Sequence, residues 1–258
     1  MQVIEIGPVE LVAATGFVFL SGLIALWFRL GLTRPLLVAT LRTYLQLLAL
    51  GLVLKWIFQL DNAWLVLGIL TLMMLIAAQT IISRLEIRSP RFMLGTLGGV
   101  VISSLTVTFA VTGLLIRVEP WHEARYVLPI AGMVMGNSMN GIALSLERLF
   151  EGFQSRRAQV LLRLSLGATP WEASLPLIRG AFRAGMLPTL NSMATVGIVS
   201  IPGMMTGQVL AGVDPMTASA YQIVVMLMLS AATAIGTIIS LMITYRHAFN
   251  SDQALDTA

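Results

Sequence analysis

The sequence predicts an all-α protein: a polytopic transmembrane helix bundle of about seven spans, its N-terminus outside and its C-terminus cytoplasmic. Three observations carry that reading. The 258 residues are 57% hydrophobic and only 11% charged, with a mean hydropathy of +0.87. A soluble domain is about 25% charged, because it needs a solvated shell that a bilayer-embedded bundle does without. The apolar residues fall into runs near the length that crosses a bilayer, about 20 residues. The basic residues, finally, lie mostly in the short polar stretches between those runs.

In chain order the runs occupy about 9–28, 36–57, 63–83, 92–116, 127–147, 186–211 and 217–243, within a single domain spanning 1–258. The sizeable polar interruption is 148–185. With the N-terminus outside, twelve arginines fall on the cytoplasmic side, from Arg29 and Arg34 through Arg88 to Arg246, and three basic residues outside: Lys55, Arg117 and Arg125. That asymmetry follows the positive-inside rule. Glu5 and Glu10, with no basic residue ahead of the first run, argue against a cleaved signal peptide. Arg42 lies within the second run and is read as snorkelling to the cytoplasmic interface. Small residues recur every four positions at Gly95, Gly99 and Ser103, and again at Ala232, Gly236 and Ser240. Such stripes let helix backbones approach closely, within the chain or across a dimer seam, and the sequence favours the first.

Composition excludes several chemistries. Cysteine is absent, which removes disulfides and thiolate sites. Lys55 is the sole lysine and no phosphate-binding G-x-x-x-x-G-K-[ST] loop surrounds it, so the chain carries no ATP-hydrolysing machinery. The two histidines, His122 and His247, fall in an outside loop and near the C-terminus, too far from Ser138 or Ser192 for nucleophilic catalysis. No catalytic residue and no cofactor is expected. A pI near 10.1 reflects loop arginines that set topology, so no nucleic-acid partner is expected either.

Polar groups do enter the apolar runs. In the fifth, Gly132, Gly136, Asn140, Ala143 and Glu147 share one helix face and Asn137 lies beside it. In the sixth, Asn191 and Thr195 share a face, and Pro202 with Gly203 predicts a kink or break. Amides at that depth bond a neighbouring helix or line a hydrated path. Asn137, Asn140, Asn191, Thr195, Met204 and Met205 are the candidates for such a path. Met133, Met135, Met139, Met204 and Met205 are space-fillers or soft ligands for an ion such as Cu(I). Metal ligation stays open.

Within 148–185, Thr169 is placed to cap a helix that starts at Pro170, with Glu172 at the third position, a capping-box spacing. The loop around Gly167 thus separates two short amphipathic helices. Leu166-Gly-Ala-Thr-Pro170 ahead of a short helix resembles the coupling loop of ABC transporter permeases, which docks into the ATPase subunit. The Glu-Ala-Ala that ordinarily precedes the glycine is replaced by Leu161, Leu162 and Arg163. Pro129-Ile-Ala-Gly-Met, Gly136-Asn-Ser-Met-Asn, Thr195-Val-Gly-Ile-Val-Ser-Ile-Pro-Gly-Met-Met-Thr-Gly207, Ala211-Gly-Val-Asp-Pro215 and Tyr221-Gln222 complete an ordered set. That set resembles the FetB (YbbM) family of permeases, related to the plant aluminium-tolerance membrane subunits, from about Arg42 to Tyr245.

The resemblance implies a permease homodimer in the cell inner (plasma) membrane, driven by two copies of a separate ABC ATPase subunit. Gly167, Ala168, Thr169, Pro170 and Glu172 would carry coupling to that subunit. The bacterial members are linked to iron export and the plant ones to a nucleotide sugar, so membership leaves the substrate open. The rival reading is a secondary transporter or channel with no ATPase. It lacks the intramembrane carboxylates or histidines such proteins use, Glu147 being the only carboxylate near that depth.

Overall fold

A computed structural model describes residues 7–59, 62–84 and 90–249. Among these the chain is all-helical, its one bridge being the isolated Val196–Ser200 pair. The helices are α1 (Pro8–Trp27), α2 (Thr33–Ile57), α3 (Ala63–Arg84), α4 (Pro90–Phe109, continued by a π-helical turn over Ala110–Leu115), α5 (Ala124–Ser155), α6 (Arg157–Ser165), α7 (Pro170–Thr195), α8 (Gly203–Leu210) and α9 (Pro215–His247). Glu5 and Arg88, used above for topology, lie outside the described residues.

Among the described residues six helices are long and apolar enough to cross a membrane: α1, α2, α3, α4 with its π-turn, α5 and α9. The run read over 186–211 is not one helix. It comprises the end of α7, an irregular stretch over 196–202, and the eight-residue α8. The reason is local. Gly197 adopts φ +82°, Pro202 offers no backbone N–H, and the chain restarts as helix with the Thr206 N–H donating to the Pro202 carbonyl at 3.0 Å. The expected short helix after Gly167 is likewise the start of the 26-residue α7. It carries Glu172, Arg179 and Arg183, and is not among the six helices apolar enough to cross. The apolar run read over 127–147 continues as helix to Ser155, about 48 Å in all at 1.5 Å per residue, longer than a hydrocarbon core of about 30 Å.

The helices form two compact units. One contains α1 and α2, where the Tyr44 hydroxyl donates to the Leu11 carbonyl at 2.6 Å. The other contains α3 to α9 save the Leu210–Gly212 end of α8 and its turn. Its core includes Val107, Val111, Ile130, Val134, Val225, Met228 and Ala232, contributed by α4, its π-turn, α5 and α9.

Small residues set the distances inside this second unit. The stripe of α4 meets the stripe of α9: a Cβ on Gly99 would stand 2.6 Å from the Gly236 carbonyl and would overlap the Ser240 hydroxyl. That hydroxyl donates to the Gly95 carbonyl at 3.0 Å. The two stripes therefore serve packing within the chain, in line with the reading favoured from sequence. On the other side of α9, α5 and α7 cross backbone to backbone, a Cβ on Gly185 falling 2.6 Å from the Gly141 carbonyl. Thr233 and Thr237 of α9 fill the wedge against these two glycines, and Thr233 also pairs its hydroxyl with that of Thr189 at 3.4 Å. Without a hydrophobic drive between helices in lipid, such close backbone contact supplies dispersion and weak polar attraction.

This packing makes a paired expectation. Gly185→Ala drives a methyl into a carbonyl that cannot move aside and should cost about 1–3 kcal/mol, as overpacking does. Gly180→Ala on the same helix meets nothing within 4 Å and should leave the melting temperature in detergent unchanged or slightly higher. Equal melting temperatures for the two variants would contradict the close crossing.

Candidate functional site

The sequence-predicted coupling residues form one small, well-determined hinge between α6 and α7. The end of α6 is closed by two backbone bonds: Ala168 N–H donates to the Arg163 carbonyl and Gly167 N–H to the Leu164 carbonyl, both at 3.0 Å. These are the paired bonds of a Schellman motif, which requires a left-handed residue at its turn. Gly167 supplies it, at φ +91°. Two residues on, α7 opens with the full capping box. Glu172 N–H donates to the Thr169 hydroxyl at 3.3 Å, while Thr169 N–H donates back to the Glu172 carboxylate at 2.8 Å. The Thr169 hydroxyl also donates to that carboxylate at 2.8 Å. These bonds, the backbone one foremost, hold the Glu172 carboxyl below its ordinary range.

Around this hinge exposed apolar side chains stand beside Arg163 and Ser165. Leu161, Leu162 and Leu166 are exposed, Leu166 at 78%, and Gly167 and Thr169 are exposed beside them. Below it the helices are anchored: Trp171 of α7 packs at a tilt against Tyr245 of α9 with ring centres 5.3 Å apart, and Val160 of α6 is buried. The hinge is therefore a rigid, solvent-facing corner resting on α7.

At the far end of α7 lies the break. Val199 and Ser200 N–H groups turn back to the Thr195 carbonyl, Gly197 N–H donates to the Ser200 carbonyl at 2.9 Å, and Ile198 and Val199 project outward. Two cavities flank α8. The first, about 450 Å³, is lined by Met193, Met205, Ser219, Gln222 and Met226 together with the Gly197 and Pro202 positions of the break. The second, about 400 Å³, is lined among others by Met133, Met204, Gln208, Tyr221 and Met228. A third groove of about 690 Å³ runs between α7 and α9, past Trp171, Arg179, Arg183 and Met186.

The candidate path residues are not brought to one place. Met204 and Met205, adjacent in sequence, face the second and first cavities respectively. Asn137 donates within α5 to the Met133 carbonyl at 3.1 Å, Asn140 is exposed on the same helix, and Asn191 is exposed on α7. Thr195 donates its hydroxyl back to the Asn191 carbonyl at 2.9 Å. None of these four lines any of the three cavities. Among the soft-ligand candidates, Met135 is buried in the bundle and Met133 lines the second cavity. Two loop carboxylates have structural partners: Asp214 caps α9 by accepting from the Thr217 N–H at 3.1 Å, and Glu123 lies 3.8 Å from Arg125.

Two residues that the sequence reading did not propose for a path, Gln222 of the motif set among them, stand at the cavities. Gln222, 6% exposed, and Gln208 each hold a buried amide oxygen that finds no donor among the described residues. Gln222 was visible as an amide inside an otherwise apolar run, the kind of residue that is costly at depth unless something meets it. Among the described residues no group of three or more His, Asp or Glu side chains could hold a metal ion.

Comparison with known proteins places this architecture. The model of the Uncharacterised protein family (UPF0014) matches residues 8–249. The chain is 40% identical over 234 residues to the UPF0014 membrane protein slr1647 of Synechocystis, covering 89% of this chain and 88% of that one. It is 37% identical over 227 residues to the probable iron export permease protein FetB of Escherichia coli, covering 88% and 86% of the two chains. It is 34% identical over 243 residues to the UPF0014 membrane protein STAR2 of rice, covering 91% and 81%. No solved structure matches. A match running from α1 to the end of α9, carried by relatives from bacteria to plants, shows that the chain is a membrane protein of the UPF0014 family, the family of FetB.

Proposed function

We propose that the chain is the membrane permease subunit of an ABC transporter, exporting iron or a related metal cation with energy from a separate ATPase subunit. The observation that carries the reading is the hinge at Leu166–Thr169. It is an exposed corner, fixed by a Schellman turn on one side and a capping box on the other, with free apolar side chains around it. A corner built so stiffly suits a surface that must transmit force from a docked partner. Similarity to a protein named as a probable iron export permease supports the transport class. A chain without a phosphate-binding loop needs that partner to supply free energy.

In this reading two copies of the chain pair with two ATPase subunits in the inner (plasma) membrane. With the broken α7–α8 segment counted as one crossing beside the six long helices, the N-terminus lies outside and the C-terminus in the cytoplasm, as the arginine distribution requires. The hinge then lies on the cytoplasmic face. ATP-driven closure of the ATPase pair pushes on Gly167, Ala168, Thr169, Pro170 and Glu172, and α7 carries the displacement to the break at 196–202.

Reconstitution with the ABC ATPase encoded beside it tests this directly. Fe²⁺-stimulated ATP hydrolysis is expected, and Gly167→Trp should abolish it. Any side chain at φ +91° costs roughly 1–2 kcal/mol, and an indole would also stand in the docking surface. ATP hydrolysis by the permease alone, or no association with the ATPase, would remove the assignment.

The capping box adds a pH expectation. Because the folded pKa of Glu172 is depressed, its contribution to the first turn of α7 is fully present above the unfolded value of about 4.3. It is lost as pH falls through the depressed folded value. Hydrogen-exchange protection of the Ala173 and Ser174 amides should therefore decline on acidification below about pH 4, whereas Glu172→Gln should show less protection at neutral pH and no such decline. A wild-type profile that stays flat would show that the box does not hold the turn.

A further inference from the structure

We infer that the groove between α7 and α9 is a binding site for one anionic glycerophospholipid, its phosphate held by Arg179 and Arg183 and an acyl chain laid along Phe182, Met186 and Leu190. The inference rests on counting the α7–α8 segment as a membrane crossing, as above. It goes beyond the transport reading and depends on neither cargo nor ATPase.

The groove, about 690 Å³, is lined as an amphiphile requires. At its hinge end Trp171 packs against Tyr245, an aromatic pair of the kind found at membrane–water interfaces. Arg179 and Arg183 border the groove next, one turn apart on the same face of α7, which puts two guanidiniums within reach of one phosphate. Both arginines are exposed, and no carboxylate lines the groove. Among the described residues neither arginine forms an ion pair. The remaining walls are apolar: Phe182, Met186 and Leu190 from α7, and Ile235 and Ile238 from α9. An arginine that only sets topology needs no groove, whereas these two stand at the head of one.

Depth and length both fit a lipid in one leaflet. Gly185 meets the Gly141 carbonyl, about 26 Å along α5 from its outer end at Ala124. In a hydrocarbon core of about 30 Å that crossing lies close to the inner edge, and the two arginines lie on its cytoplasmic side, at headgroup level. Leu190 stands about 11 Å beyond Arg183 and about 17 Å beyond Arg179 along α7, against about 15 Å for one leaflet. Basic pockets between helices on this face are where anionic headgroups bind. Charge then selects the occupant. A zwitterionic headgroup brings an ammonium that the arginine pair repels. A second copy docked groove to groove about a twofold axis sets arginines against arginines.

The test is native mass spectrometry of the full chain in a non-ionic detergent, titrated with dioleoyl phosphatidylglycerol or dioleoyl phosphatidylcholine. Wild-type protein should bind one phosphatidylglycerol about thirtyfold more tightly than phosphatidylcholine, each arginine contributing about fivefold toward an anionic headgroup. Arg179→Gln/Arg183→Gln should reduce that preference to about twofold or less. Arg156→Gln/Arg157→Gln, the same charge change on exposed residues outside the groove, should keep it. Ile238→Trp should weaken binding of both lipids by filling the apolar wall without altering charge. Glycerol phosphate in excess should displace neither lipid. Equal binding of the two lipids by wild type, or a preference that survives loss of Arg179 and Arg183 or vanishes with Arg156 and Arg157, would overturn the site. So would unaltered binding by Ile238→Trp, or displacement by glycerol phosphate, which marks a free-anion site. A wild-type dimer that Ile238→Trp turns into monomers would overturn it too, because a second copy then fills the groove. The chain is titrated without ATPase or metal, so failure here leaves the hydrolysis experiment standing, and failure there leaves this titration standing.

Discussion

The second unit depends on a single constraint: helix backbones have to touch where lipid offers no solvent to exclude. Around α9 this is met on two sides. Gly95 and Gly99 of α4 lie against Gly236 and Ser240, and Gly141 of α5 meets Gly185 of α7 beside Thr233 and Thr237. Leucine-rich contacts would hold helices further apart, and a leucine exchanges lipid for protein with little gain. The glycines shorten the separation until carbonyls, hydroxyls and Cα groups lie in van der Waals contact. The buried core of Val107, Ile130, Val134 and Val225 then has fixed walls to fill.

The same constraint explains which features of the fold were legible beforehand. Apolar runs and arginine-bearing loops depend on composition over twenty residues, and α3, α4, α5 and α9 appear where those runs stood. Stripes of small residues have a strict period, so Gly95, Gly99, Gly236 and Ser240 were legible as close-packing positions, but which helix each would meet was not. Capping chemistry is local too, and Thr169, Pro170 and Glu172 take the positions their spacing implied. What a window of residues could not show was the fate of 186–211. Its apolarity suits a span, but Gly197, Pro202 and the charged half of α7 divide it, and the outcome turns on a backbone choice at a few residues.

The cavities were less legible still. Asn137, Asn140, Asn191 and Thr195 drew attention because amides and hydroxyls in apolar runs are uncommon, yet none of them lines a cavity, and Asn137 and Thr195 make hydrogen bonds within their own helices. A side chain that can satisfy itself on the preceding turn gives no sign of this in its spacing. Gln222 has the same chemistry and lies in as apolar a context, but its neighbours across the cavity come from α7 and α8, more than fifteen residues away in sequence. Only tertiary placement separates an amide that is satisfied on its own helix from one that is buried without a donor among the described residues.

The crossing of α7 over α5 gives α7 the mechanics of a lever. Gly185 is pressed against the Gly141 carbonyl and acts as a fulcrum, with Pro170 about 22 Å along the helix on one side and Thr195 about 15 Å on the other. A tilt about that point that shifts the Pro170 end by about 3 Å swings the Thr195 end by about 2 Å in the opposite sense. Stroke thus falls by about a third and force rises by about half between the hinge and the break. Under the proposed function, residues far from either end, Gly185 and Gly141 among them, would set that ratio.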